Sequence, residues 1–171
     1  MDKVEFRVEE HTHEFTHLYI AQIYINGHSL IDMLRDYEKQ FALREHFEAA
    51  AGGYRALESI DLYKNLTVPD QFESDESGKI IILGCECGHR SHWPMRVRVQ
   101  PDDNSIVWHQ FEQPNRTESS LHHWDYTNFG SFCFSSDHYQ QALQQLAATM
   151  KNSIHHHSGL ATQYACARHI D

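Results

Sequence analysis

The chain has 171 residues, 24 of them acidic against 14 Lys and Arg, for a formal charge of -10 with histidine neutral. That length suits one domain with a sizeable core, and 40% hydrophobic with 12% aromatic residues is a globular rather than a disordered composition. The acidic balance excludes nucleic acid as a bulk electrostatic partner, and no apolar run is long enough to span a bilayer.

In chain order, Met1 to Glu5 lacks the apolar centre of a signal peptide, so the expected compartment is the cytoplasm and the expected state of the four cysteines is reduced or metal-bound. Val4 to Val8 alternates apolar and polar residues, as a half-buried strand does. A polar, His-rich break follows, and His17 to Ile25 reads as a second strand, with a bulge or full cover expected where its alternation slips at Ala21-Gln22. Asn26-Gly27 turns the chain. Ser29 is suited to cap a helix, with Asp32 three residues on, and Leu30, Met33, Leu34, Tyr37 and Phe41 make its apolar stripe. That helix is expected to run as far as Phe47, with Gly52-Gly53 as the stop. From Tyr54 to Gly78 the pattern is weak and ends in an acidic loop.

Ile80 to Leu83 has the length and composition of a strand buried on both faces. Met95 to Gln100 and Ser105 to Phe111 form a predicted hairpin about Pro101-Asp102-Asp103-Asn104. Phe129 to Phe134 is expected to be extended, and Ser135 or Ser136 to cap a last helix carrying Tyr139, Leu143, Leu146 and Met150. The reading is an α+β domain over residues 1–152, an antiparallel sheet with two main helices on one face, followed by a loosely structured tail at 153–171.

The chemistry concentrates in Gly84-Cys85-Glu86-Cys87-Gly88-His89-Arg90-Ser91-His92-Trp93-Pro94. On an extended chain Cys85 and Cys87 point to the same side, and Gly88 permits a reversal that brings His89 or His92 back toward them. Two thiolates with imidazoles suit zinc, making Cys85, Cys87, His89 and His92 the candidate ligands, with His109 or water as other fourth donors. One intervening residue is shorter than the common zinc pair, so the plain alternative is two reduced cysteines at a strand end with histidines on a turn.

The segments Ile25 to Leu30, Gly52-Gly53-Tyr54, Leu83 to Gly88, Trp93-Pro94, Val107 to Pro114 and Trp124-Asp125-Tyr126 resemble a family of small uncharacterised bacterial proteins with a C-x-C-G loop before a Trp and a W-D-Y segment. The resemblance runs from about the second strand to the last helix and implies a stand-alone cytoplasmic bacterial protein, without supplying a reaction. In that family a further Cys stands just before the Trp, where this chain has His92.

Two function classes follow. One is a non-catalytic binding protein with a structural zinc loop, whose acidity suits a basic protein partner through electrostatic steering. The other is a small enzyme, a metal-dependent hydrolase for instance, with Glu112 and Asp125 as acid and base and Arg116 holding an anionic group. His11-Thr12-His13, ahead of His17, is a weaker metal candidate, because no glutamate follows at a supporting spacing.

Overall fold

The structure is a computed structural model that describes residues 1–13, 16–68, 78–89, 92–118 and 122–150, with backbone alone at 12–13 and 16–17. Strands β1 (Val4–His13) and β2 (Thr16–Ile25) pair in unbroken register from Val4↔Ile25 to His13↔Thr16. The His-rich segment is therefore the far end of a long hairpin rather than a break. Of the bulge and the full cover expected as alternatives at Ala21-Gln22, the register with β1 shows no bulge. Cover is found instead: Ile20 and Ala21, on opposite faces, are both buried, and β4 (Tyr54–Glu58) pairs at these two residues on the other edge of β2. The expected domain limit and tail at 153–171 lie outside the described residues.

Asn26 and Gly27 both take positive φ, 53° and 81°, the signature of a two-residue type I′ turn. The chain returns as β3 (His28–Ser29), antiparallel to the end of β2. Helix α1 (Leu30–Arg44) starts where expected, with the Ser29 side chain accepting from the Asp32 N–H. It stops three residues short of Phe47. His46 adopts a left-handed φ of 54°, and the Phe47 N–H turns back to the Ala42 carbonyl.

The weakly patterned stretch holds β4 and a third helix, α2 (Ser59–Thr67). Both are short, and β4 is buried at three of its first four positions, which removes the alternation that marks a strand. The acidic loop expected before Gly78 falls largely outside the described residues. Strands β5 (Ile80–Cys85), β6 (Met95–Asp102), β7 (Ser105–Glu112) and β8 (Phe132–Ser135) complete an eight-stranded antiparallel sheet in the order β1-β2-β4-β5-β6-β7-β8, with β3 beside β2. All six residues of β5 are buried, as its apolar run implies. Helix α3 (136–150) follows with Ser135 as its cap, accepting from the His138 N–H.

A bulge shapes β7. Between the pairs Arg98↔His109 and Arg96↔Glu112, β7 carries one residue more than β6, and Gln110 has a left-handed φ of 55°. Three residues apart, Trp108 and Phe111 belong on opposite faces of a regular strand. The extra residue brings both to the core side, where Trp108 meets Phe134 and Tyr139, and Phe111 meets Phe129 and Phe132.

The sheet curls until its two ends meet. Asp2 forms a parallel bridge with Phe134 in β8: its N–H donates to the Cys133 carbonyl, and its Oδ2 accepts from the Cys133 N–H, both at 2.8 Å. Its Oδ1 accepts from Asn26 Nδ2, tying the seam to the β2–β3 turn, and these hydrogen bonds hold the Asp2 carboxyl below its ordinary pKa.

Candidate metal centre

The loop between β5 and β6 starts in the core and is fixed at both ends. Cys85 is the last residue of β5, buried, with Tyr54 as its sheet partner. The chain then turns at once: the Gly88 N–H donates to the Cys85 carbonyl at 3.0 Å, and Gly88 takes φ 94°, a conformation strained for any residue with a Cβ. The Glu86 N–H donates to the Gly53 carbonyl. The thiols thus converge through a tight turn, not along an extended strand. At the other end, Asn115 donates to the His92 carbonyl at 2.7 Å, and Trp93 packs edge-on against the buried Trp124.

These anchors bring one donor atom from each of Cys85, Cys87 and His92 within 4.8 Å of one another. His92 Nδ1 lies 3.6 Å from Cys85 Sγ and 3.4 Å from Cys87 Sγ. With Zn–S of ~2.3 Å and Zn–N of ~2.0–2.1 Å, a tetrahedral angle separates sulfur and nitrogen by about 3.6 Å. The imidazole thus lies at the edge length of a zinc tetrahedron from both sulfurs. The His89 ring does not belong to this group among the described residues. His89 contributes backbone instead: its N–H hydrogen-bonds to Cys87 sulfur, and its carbonyl accepts from the His92 N–H. The Cys87 N–H in turn points at Cys85 Sγ, 3.4 Å away.

Electrostatics separates the two thiols. Hydrogen bonding from Cys85, then from the His89 backbone and the His92 ring, lowers the exposed Cys87 thiol to about 7. Burial raises Cys85, and the neighbouring Cys87 raises it further. The opposite shifts are those of two close thiols that share one proton, the exposed one ionising first.

The residues singled out as catalytic candidates, Glu112, Arg116 and Asp125, line one open cleft of about 580 Å³ with His109, His123 and Lys79. Each already has a structural partner. Glu112 is ion-paired with Lys79. The Arg116 guanidinium bonds Glu45 at 2.8 Å and lies over the rings of both Trp93 and Trp124, leaving its side chain 12% exposed. The Asp125 carboxylate accepts from the Thr127 hydroxyl and from the Thr127 N–H, and these bonds lower its pKa. His109, the other proposed fourth ligand, bonds Gln100 on β6. His11 is exposed beside Glu9, while the side chains of His13 and His17 lie outside the described residues.

Two polar clusters escape a reading of the sequence. Glu38 is fully buried on α1, accepting from the Tyr54 and Tyr126 hydroxyls at 2.6 Å each and from the Gly52 N–H at 2.7 Å. Glu45, just past α1, takes Arg116 and the Trp124 indole N–H. The signal for Glu38 is positional, since it continues the four-residue spacing of Leu30 and Leu34 into the core face. Its partners, 14 to 88 residues away, leave no local mark.

Compared with known proteins, the chain matches no family model, no curated protein and no solved structure. No helix among the described residues is long and apolar enough to cross a membrane.

Proposed function

We propose that the chain is a non-catalytic binding protein built round a zinc ion held by Cys85, Cys87 and His92. The observation that carries this reading is the three-donor group within 4.8 Å, whose sulfur–nitrogen spacings of 3.4 and 3.6 Å match a zinc tetrahedron. Two further features support it. Backbone N–H groups point at both sulfurs, and each end of the loop is fixed by hydrogen bonds to other elements. A borderline-soft set of two thiolates and one imidazole favours zinc over hard cations. The resemblance to the bacterial C-x-C-G family fits the same reading: His92 in place of the family's further Cys keeps a zinc-competent donor before Trp93.

Binding is favoured over catalysis because Glu112 is ion-paired with Lys79 and Arg116 with Glu45, which leaves exposed Asp125 as the one member of the proposed set outside an ion pair. The test is elemental analysis of protein purified without a nickel column, with Cys85→Ser/Cys87→Ser as control. The expected result is one zinc per parent chain and none in the variant. A parent free of transition metal, even after incubation with equimolar zinc, would overturn the proposal.

A further inference from the structure

Zinc sites take four donors, and three protein ligands with one open position is the arrangement of zinc centres that engage an external molecule. Among the described residues only Cys85, Cys87 and His92 come together. All three line a single groove of about 310 Å³, whose other wall is Phe47, Ala49, Ala50, Gly53 and Trp93. A metal held by the three donors would have this groove beside it. The volume is at the lower end of the range for small-molecule sites. The far wall is apolar, and Phe47 is held there 54% exposed, directly after the left-handed His46 that ends α1. An exposed phenylalanine lining the same groove as the three donors suits an apolar group attached to a donor atom.

From these features we infer that the groove binds a small thiol carrying an apolar substituent, its sulfur completing the coordination of the metal. This rests on the zinc reading above. The ligand set selects the donor: two thiolates and an imidazole make a soft centre that favours sulfur over oxygen. The Phe47–Trp93 wall selects the substituent. Glu86, between the two cysteines and lining the same groove, selects against an anionic tail, as does the overall charge of -10. On entering, the thiol releases its proton to solvent and binds as thiolate.

The experiment uses the full chain loaded with Co(II) in place of zinc, kept reduced with a phosphine, and titrated separately with benzyl mercaptan, 2-mercaptoethanol and benzyl alcohol. Co(II) uptake, read from its d–d bands, reports on the metal site alone. The expected result is that benzyl mercaptan adds sulfur-to-cobalt charge-transfer intensity at a concentration at least ~10-fold lower than 2-mercaptoethanol does, a difference of ~1.4 kcal/mol, while benzyl alcohol leaves the spectrum unchanged. In Phe47→Ser the advantage of benzyl mercaptan should collapse toward that of 2-mercaptoethanol, which serves as the internal control for an intact site. Co(II) bound with a spectrum that no thiol moves would overturn the inference and leave the zinc reading standing. A Co(II) spectrum already rich in sulfur that loses intensity in Cys166→Ser would do the same, because the chain itself would then supply the fourth donor. Failure to bind Co(II) at all would overturn both.

Discussion

Replacing Glu38 with Ala tests whether the buried carboxylate is a structural keystone. The substitution removes the acceptor of three donors, the Gly52 N–H and the hydroxyls of Tyr54 and Tyr126, in a fully buried position. The two hydroxyls lie 3.4 Å apart, so one can donate to the other, and two donors are left orphaned. At ~1–3 kcal/mol for each unsatisfied buried group, Glu38→Ala should cost about 2–6 kcal/mol. Urea denaturation at 25 °C measures this as a shift in midpoint at constant slope. Adding Tyr54→Phe and Tyr126→Phe removes the orphaned hydroxyl together with its neighbour, and the triple variant should recover at least ~1 kcal/mol over Glu38→Ala alone. The penalty should also depend on pH. Burial pushes the Glu38 carboxyl above its ordinary value despite the donors around it. The folded chain therefore binds that proton more tightly than the unfolded chain. The stabilisation is complete below the unfolded value of ~4.3 and is lost as pH rises through the folded value, so the variant's deficit should be larger near pH 4 than at pH 7. A loss under ~0.5 kcal/mol, or a triple variant no more stable than the single one, would refute the reasoning.

Other outcomes are open to equally direct measurement. Chelation should lower the melting temperature of the parent and not of Cys85→Ser/Cys87→Ser. Free zinc at 100 times Kd contributes ~2.7 kcal/mol, or ~5–11 °C for a chain of this size, and equal melting curves with and without chelator would count against a folding role for the metal. Ile82, fully buried in β5, should cost ~2–5 kcal/mol on replacement by Ala, with a fully solvated Ile82 the condition for a smaller value. Asp2→Ala should lose about 1–3 kcal/mol by unpairing the Cys133 N–H and Asn26 Nδ2. Because the Asp2 carboxyl sits below its ordinary value, that contribution is present above the unfolded value of ~3.9 and disappears as pH falls through the folded one. A parent-to-variant gap that widened in strong acid would contradict this. With 15 histidines and a sequence isoelectric point near 5.8, solubility should pass through a minimum in mild acid, and a monotonic rise or fall from pH 7.5 to 5 would exclude it.

Local rules made part of this molecule readable from sequence. Asn26-Gly27 and Ser29 are read correctly because a type I′ turn and a helix cap are each decided by one or two residues. Ile80 to Leu83 is legible because four consecutive apolar residues at strand length have no stable place but the core. The C-x-C loop is legible in composition, yet which imidazole joins the thiols depends on the anchor from Asn115 to the His92 carbonyl, 23 residues away. What escapes depends on distant partners. Tyr54 to Thr67 shows no clean period because β4 is buried on both faces and α2 lasts nine residues. Arg116 reads as a free charge, since its partner Glu45 lies 71 residues away, whereas the Thr127 N–H that Asp125 accepts is a local turn contact two residues on. Gln110 carries no glycine-like signal for its left-handed turn, which is imposed by the need to bury Trp108 and Phe111 together.

The closing seam of the sheet also sets an order of events during synthesis. Asp2 leaves the ribosome 131 residues ahead of Cys133, the residue whose backbone it pairs with. At ~5–20 residues per second, several seconds or more separate the two. The β1–β2 and β6–β7 hairpins are local and can form as they emerge, but the ring cannot shut until β8 arrives. Beyond the single bridge at Asp2, β1 remains the end strand of the sheet, an edge of the geometry that recruits strands from other chains. Glu5, Arg7 and Glu9 lie along it, with the Arg7 guanidinium clasped to Glu5 and stacked over Tyr24. These charges guard that edge both before and after the seam at Asp2 closes.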